Sequence, residues 1–354
     1  MPMGRVGKVF LIVWAVLMTI IAGGLAGFEA MRFFGKTNLD SKSATSTPML
    51  DQANGAYSVD TAEKWQSDWV RYNGEVYDYN EDIITFLIMG IDKEDEVVKE
   101  VKEGADGGQA DALFLLVLNP HDESIKIIGI NRNTMTDVDI YDEYGRYMTT
   151  MIAQIAVQHG FGNGMEESCE YQVKAVSNLF YQLPIHGYAA INMSAIPKIN
   201  DMVGGVDVTV LEDLTKFDKK LVEGEKIHLE GATAFRYVKC RDTSVFGSSD
   251  RRLERQRQYL NAFIKAARNA SSENNNAAIQ IFTEIRDAMV TNITADEVSY
   301  LAPDMINYSF DPTDFMMING ETTRGEFFEE FYVDEDDLFK TIIEVFYEKV
   351  NYVD

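Results

Sequence analysis

The sequence predicts a mixed α/β domain with a central mixed β-sheet flanked by helices, preceded by one N-terminal transmembrane helix. Three observations carry this. Ile83–Ile91 (IITFLIMGI) and Ala112–Leu118 (ALFLLVL) are continuous apolar runs, the pattern of strands buried on both faces. Stretches with helical periodicity alternate with such strands through the chain, which suits one layered α/β or α+β core. Val9–Phe28 (VFLIVWAVLMTIIAGGLAGF) carries no charge over about 20 residues, the length that spans a bilayer core.

Taken in order, residues 1–8 form a short tail with Arg5 and Lys8 and no acid, whereas Glu29 offsets part of Arg32 and Lys36 beyond the apolar run. The positive-inside bias then places the tail in the cytoplasm, residues 9–28 in the membrane and the rest outside the cell. The run is longer than a signal-peptide core of about 7–15 residues, which favours an uncleaved anchor. Residues 29–79 are polar, with no sustained apolar period, and are expected to form an extracellular stalk with one short helix around Thr61–Trp69. The domain proper is placed at 80–354.

Within it Ser124–Ile130 (SIKIIGI) alternates, and Asn119-Pro120-His121-Asp122 marks a turn from the strand before. Further strands are predicted at Tyr188–Met193, Val206–Leu211 and Phe315–Ile318. Helices are predicted at Tyr171–Tyr181, Ala195–Met202, Arg252–Ala267, Ala277–Met289, Ala295–Asn307 and Asp334–Tyr347.

Charge narrows the function. The 354 residues hold 32 Lys and Arg against 57 Asp and Glu, a net charge of -25. So acidic a surface repels nucleic acid. Two cysteines exclude a disulfide-dense scaffold and a Cys-rich zinc module, and four histidines without HExxH spacing disfavour a zinc hydrolase. Against this background Lys239–Arg268 holds eight basic residues and three acids, a local +5. At helical spacing Arg252, Arg255, Gln256 and Tyr259 share one face, beside an apolar stripe of Leu253, Leu260 and Ile264. Guanidinium forks so placed suit a local phosphate, and a solvated helix face is the competing reading. Asp92 ends the first buried strand, Asp111 opens the second, and Arg132 ends the third. If these ends share one edge, two hard carboxylates beside several guanidiniums would suit Mg²⁺ with a pyrophosphate.

These residues lie in a recognisable order. GID, QADALFLLVLNP, INRNTMTDV, QHGFGNG, Val203-Gly204-Gly205-Val206, Leu229-Glu230-Gly231 and YVKCRDTSVFGSSDRRLERQRQYL together resemble the LytR-CpsA-Psr family over about 80–270. The resemblance implies a Gram-positive envelope enzyme, a phosphotransferase that moves a phosphoglycan (teichoic acid, capsular or other wall polysaccharide) from a polyprenyl-pyrophosphate carrier to peptidoglycan. It implies Mg²⁺ as cofactor, with Mn²⁺ as a substitute. By position it assigns Asp92 and Asp111 to the metal, and Arg132, Lys239, Arg241, Arg252, Arg255, Gln256 and Gln109 to the pyrophosphate. Asp92, Asp111, Arg132 and Arg252 are the catalytic candidates.

The chain departs from the family at four places. Gln109 stands where many members have Arg, Asn133 follows Arg132 where Asp is usual, and Lys239 opens an Arg-x-Arg pair. Ser249 takes the place of an Asp, with Asp250 one residue late. Because an amide takes no proton, the base shifts to Asp92 or Asp111. A catalytically impaired lipid- or glycan-binding scaffold and a carrier-pyrophosphate hydrolase are the alternative readings. His159, in the glycine-flanked loop, is expected to be a surface histidine or to line the site. Cys169 and Cys240 are expected to be free thiols rather than a pair.

The anchor generates a first prediction. Protease added to intact protoplasts removes the chain beyond about residue 40, whereas full protection until lysis would place the domain inside.

Overall fold

The computed structural model describes residues 29–42, 47–50, 66, 69–93, 107–273, 277–305 and 307–351. The predicted span at Val9–Phe28 lies outside them, as do residues 61–65 of the predicted stalk helix, and Trp69 opens a strand instead. Among the described residues no helix is long and apolar enough to cross a membrane.

The chain begins with helix α1 (29–42) and a hairpin, β1 (Trp69–Tyr72) and β2 (Glu75–Tyr79). Then come β3 (Ile84–Ile91), β4 (Ala110–Asn119) and β5 (Ser124–Ile130), which pair antiparallel in succession as a meander. A second hairpin, β6 (Met135–Tyr141) and β7 (Tyr147–Gln154), leads to α2 (Glu166–Leu179). After β8 (Gly187–Asn192) and α3 (Ile196–Met202) a short ribbon forms from β9 (Val206–Thr209) and β10 (Lys226–Leu229). Helices α4 (Gly231–Lys239), α5 (Ser248–Glu273) and α6 (Ala277–Ile285) precede β11 (Met289–Thr291) and α7 (Ala295–Met305). The chain closes with β12 (Phe315–Met317), the hairpin β13 (Gly320–Arg324) and β14 (Glu329–Val333), α8 (Glu335–Phe346) and β15 (Tyr347–Val350).

The central sheet has the order β11-β8-β3-β4-β5-β12, with β8 parallel to β3 and β12 parallel to β5. Alternation along its middle strands sorts the core into two layers. Leu87, Met89, Leu113 and Leu115 point to α2 and α8, where they meet Val176, Phe180, Ile342 and Phe346. Ala112, Phe114 and Ile127 point the other way, onto Leu253, Leu260 and Ile264 of α5. The predicted apolar stripe of that helix is therefore its contact with the sheet. Both faces are covered, which explains the unbroken apolar runs of β3 and β4.

The predicted strands are present within two residues at each end, and the six helices predicted within residues 80–354 are present, with α2 starting five residues earlier and α5 extended at both ends. One end is corrected: α6 stops at Ile285, and Met289 belongs to β11, which pairs antiparallel with β8 at the sheet edge. The stalk is corrected too. β2 pairs with β15, Tyr79 opposite Tyr347, so residues 69–79 belong to the folded domain. Leu39 of α1 is buried with Phe86, Leu118 and Ile125, and Lys42 Nζ lies 2.6 Å from Glu297 Oε1. Gly35 permits this docking, because a Cβ there would stand 2.1 Å from the Asp296 carbonyl oxygen. Within the predicted stalk, β2 and the end of α1 thus have partners some 250 residues on.

His186, beside the start of β3, is buried, and its Nδ1 accepts the Thr85 N–H at 3.1 Å. Burial, reinforced by Lys42, lowers its pKa from 6.5 to about 4. A depressed histidine pKa means that the unfolded chain takes the proton first. Its contribution is thus complete above pH 6.5 and is lost as pH falls toward 4. Urea unfolding of the wild type is expected to lose about 3 kcal/mol more over that window than His186→Asn, which keeps an acceptor but does not titrate.

Candidate active site

Three strand ends meet at one edge because β4 runs opposite to β3 and β5. Asp92 follows the last residue of β3 and donates its N–H to Gln109 O at 3.0 Å. Asp111 is the second residue of β4, past an irregularity in the β3–β4 register at Gly90/Ile91. Arg132 sits in a turn that the sequence Asn131–Thr134 staples to itself. Asn131 Oδ1 accepts the Asn133 N–H at 2.9 Å, and Thr134 Oγ1 donates to Asn131 O at 2.7 Å.

Helix α5 brings the fourth group. Its Arg252 donates through Nη1 to Asp111 Oδ2 at 2.8 Å, while Arg132 Nε lies 2.9 Å from Asp111 Oδ1 as a charge contact not aligned for hydrogen bonding. Arg132 also donates to Gln109 Oε1 through Nη2. Arg241 lies within electrostatic reach of both partners and donates to the Ser248 hydroxyl at 3.2 Å. Burial holds the Arg132 guanidinium below the usual arginine range; Asp111 opposes this, and Arg252 and Arg241 reinforce it. Arg241 is likewise lowered, by burial first and then by Arg252. Arg132 and Arg252 thus share one buried carboxylate with Arg241 close by, and Asp92 and Glu329 are the other acids within electrostatic reach. A cleft of about 430 Å³ opens over them, lined by Gln109, Arg132, Asn133, Arg241, Phe246 and Glu329.

Of the residues predicted for the pyrophosphate, Gln109, Arg132, Arg241 and Arg252 come together. Lys239 lies to one side, its Nζ 3.3 Å from Asp92 Oδ1 and over the Phe235 ring. Arg255 and Gln256 do not line the cleft and are engaged with the end of α4. Arg255 is wholly buried and donates to Tyr237 O and, at 2.6 Å, to Cys240 O; Gln256 Nε2 donates to Val238 O at 3.2 Å. These are the carbonyls that a helix end leaves without partners. The two side chains therefore cap α4 and fix the segment bearing Lys239 and Arg241.

Other supports were not visible in the sequence. Asp250 accepts from Asn131 Nδ2 at 2.8 Å and from Thr322 Oγ1 at 2.9 Å, locking the start of α5 to the Arg132 turn and to β13. His159 is buried, not on the surface. Its Nδ1 is 3.0 Å from Gly108 O, and its backbone carbonyl leaves no room for a Cβ at Gly107. The glycine-flanked loop thus braces the segment that leads into Gln109. Cys169 and Cys240 are both free thiols; burial pushes Cys169 up to about 12, so it is inert.

The donor chemistry around Asp92 and Asp111 fits Mg²⁺ only in company. Both are hard carboxylates, yet among the described residues no group of three or more such ligands converges. Mg²⁺ commonly binds through one or two carboxylates, water and substrate phosphates, so Asp92 and Asp111 could hold it only together with phosphate oxygens.

The fold and this edge define a mixed α/β protein with an arginine cluster at the edge of its central sheet. The LytR-CpsA-Psr (LytR_cpsA_psr) family model matches residues 44–343, and the chain belongs to this family. It is 30% identical over 216 residues to the polyisoprenyl-teichoic acid–peptidoglycan teichoic acid transferase TagU of Bacillus cereus, covering 61% of this chain. The match spans 62% of that relative's length. The solved structure of TagV from B. subtilis superposes with a TM-score of 0.57 at 24% identity, covering 74% of this chain and 96% of that one. TagT bound to LI-WTA superposes with a TM-score of 0.54 at 18% identity, covering 75% and 89%.

Removing the shared carboxylate tests the cluster. Asp111→Asn leaves Arg132 and Arg252 without their counter-charge and is expected to cost about 3–5 kcal/mol in urea unfolding. A change below about 0.5 kcal/mol is what a solvated surface group would give.

Proposed function

We propose that this chain transfers a phosphoglycan from a polyprenyl-pyrophosphate carrier to a peptidoglycan hydroxyl, as an extracellular domain held to the cytoplasmic membrane by residues 9–28. The observation that carries this reading is the pairing of Arg132 and Arg252 with the buried Asp111 carboxylate, with Arg241 close by on the wall of an open cleft. Membership of the family and the transferase name of the B. cereus relative support it.

In this reading the three guanidiniums bind the pyrophosphate and neutralise charge that builds on the departing polyprenyl phosphate. Positioning and charge neutralisation carry most of the acceleration in phosphoryl transfer. Gln109 orients Arg132, and Asp111 holds Arg132 and Arg252 at a fixed separation, so no side chain has to reorganise during the reaction. Asp92 and Asp111 are the residues that would hold Mg²⁺. When bound it would neutralise phosphate oxygens as a Lewis acid.

Arg252→Lys keeps the charge but loses the planar fork. Loss of one charge-assisted contact is expected to lower glycan transfer from a synthetic polyprenyl pyrophosphate to a peptidoglycan oligomer about 10- to 150-fold. Lys265, exposed on the same helix, supplies the control, and Lys265→Ala should be near neutral. Arg268 would not serve, because it donates to Tyr308 O at 2.7 Å and stacks on Phe310. Equal activity in both variants would reduce the cluster to a structural role. Carrier binding without turnover in the wild type would replace transferase by scaffold.

A further inference from the structure

An amide at residue 133 accepts no proton, and the acids at the strand ends are poorly disposed to act in its place. Asp111 is buried with a guanidinium at each oxygen, and Asp92 is exposed with Lys239 at 3.3 Å. A third carboxylate enters the cleft from far outside the recognised motifs. Glu329, the first residue of β14, lines it beside Arg132 and Arg241. Its Oε1 accepts the Gly247 N–H at 2.7 Å, and its Oε2 lies 3.5 Å from Asn133 Nδ2. Gln154 Nε2 bridges the same two residues, donating to Asn133 Oδ1 at 3.0 Å and to the Glu329 carbonyl at 2.7 Å. Phe331 N–H adds a bond to Asn133 O at 2.9 Å.

The pairing of amide and acid has a physical reason. Two carboxylates 3.5 Å apart would oppose each other's ionisation, whereas an amide offers its N–H to the one that remains. The negative charge that the family usually carries after the arginine has, in this chain, a counterpart on β14. The other charged groups at this face are Arg132, Arg241, Glu326 and Arg324, which stands across from Glu329 in the hairpin and stacks over Phe246.

We propose, resting on the transfer reading above, that Glu329 is the general base of the reaction and that Asn133 positions it. Glu329 Oε2 takes the proton of the attacking peptidoglycan hydroxyl. The hydroxyl oxygen bonds to the glycan-side phosphorus, the bond from that phosphorus to the bridging oxygen breaks, and the bridging oxygen leaves on polyprenyl phosphate. The proton ends on Glu329.

The test uses the full chain, a synthetic polyprenyl-pyrophosphate disaccharide and a soluble peptidoglycan oligomer. Glu329→Gln keeps an oxygen for Gly247 and is expected to lower kcat about 100-fold or more, with KM for the carrier within about threefold. The acidic limb of the pH–kcat profile should vanish with it. Asn133→Asp added to Glu329→Gln returns a carboxylate next door and should regain about tenfold. Three results overturn the assignment while leaving the transfer reading intact: a Glu329→Gln kcat within about threefold of wild type, a reduced kcat that keeps the wild-type acidic limb, or no regain in the double variant. A wild type that transfers nothing overturns the transfer reading, and the base with it.

Discussion

The carboxylate of Asp111, set between Arg132 and Arg252, is the contact on which the rest of the molecule turns. A buried charge is tolerated only when paired, and here the partners come from a strand, a turn and a helix. The pairing fixes where α5 crosses the sheet, which face of α5 meets Phe114 and Ile127, and how far the Arg132 turn projects. On the side that opens to the cleft, Arg132, Arg241 and Arg324 face Glu326 and Glu329. The same contact thus stabilises the layers and orders the arginines at their edge.

Around it the structure spends its polar side chains on position. Arg255 and Gln256 cap the end of α4, Asp250 ties α5 to β13, and His159 sits behind the segment before Gln109. Each fixes a backbone that carries a residue of the cluster or the cleft. This explains why basic residues at one helical spacing have two different jobs. Arg252 lies at the strand edge, whereas Arg255, one turn further along, is already inside the α4–α5 seam.

The departures from the family also make sense together. Gln109 keeps a contact with Arg132 through its amide oxygen. Asp250, one residue late, reaches the turn through Asn131. Asn133 faces Glu329. Gln109, Asn133 and Asp250 thus keep polar neighbours, whereas the buried Ser249 hydroxyl has no hydrogen-bond partner among the described residues.

The apolar runs, their alternation and the amphipathic stripe of α5 determined the central sheet, its two covered faces and the helices, because burial on a strand or helix imposes a period that a linear sequence displays. The ordered motifs likewise determined the family and four of the clustered cleft residues. Tertiary structure alone decided the remainder. The hairpin β13–β14 is short and polar, and β6–β7 leaves Met148, Met151 and Ile152 exposed, so in neither does burial impose a clean apolar alternation. The union of β2 with β15 and the docking of α1 depend on partners at the far end of the chain. The reach of Glu329 to Asn133, across 196 residues, follows from β14 being bonded to the Asn133 turn. A sequence records which faces are buried; which side chains meet across the cleft is set by packing between elements, and no local pattern encodes it.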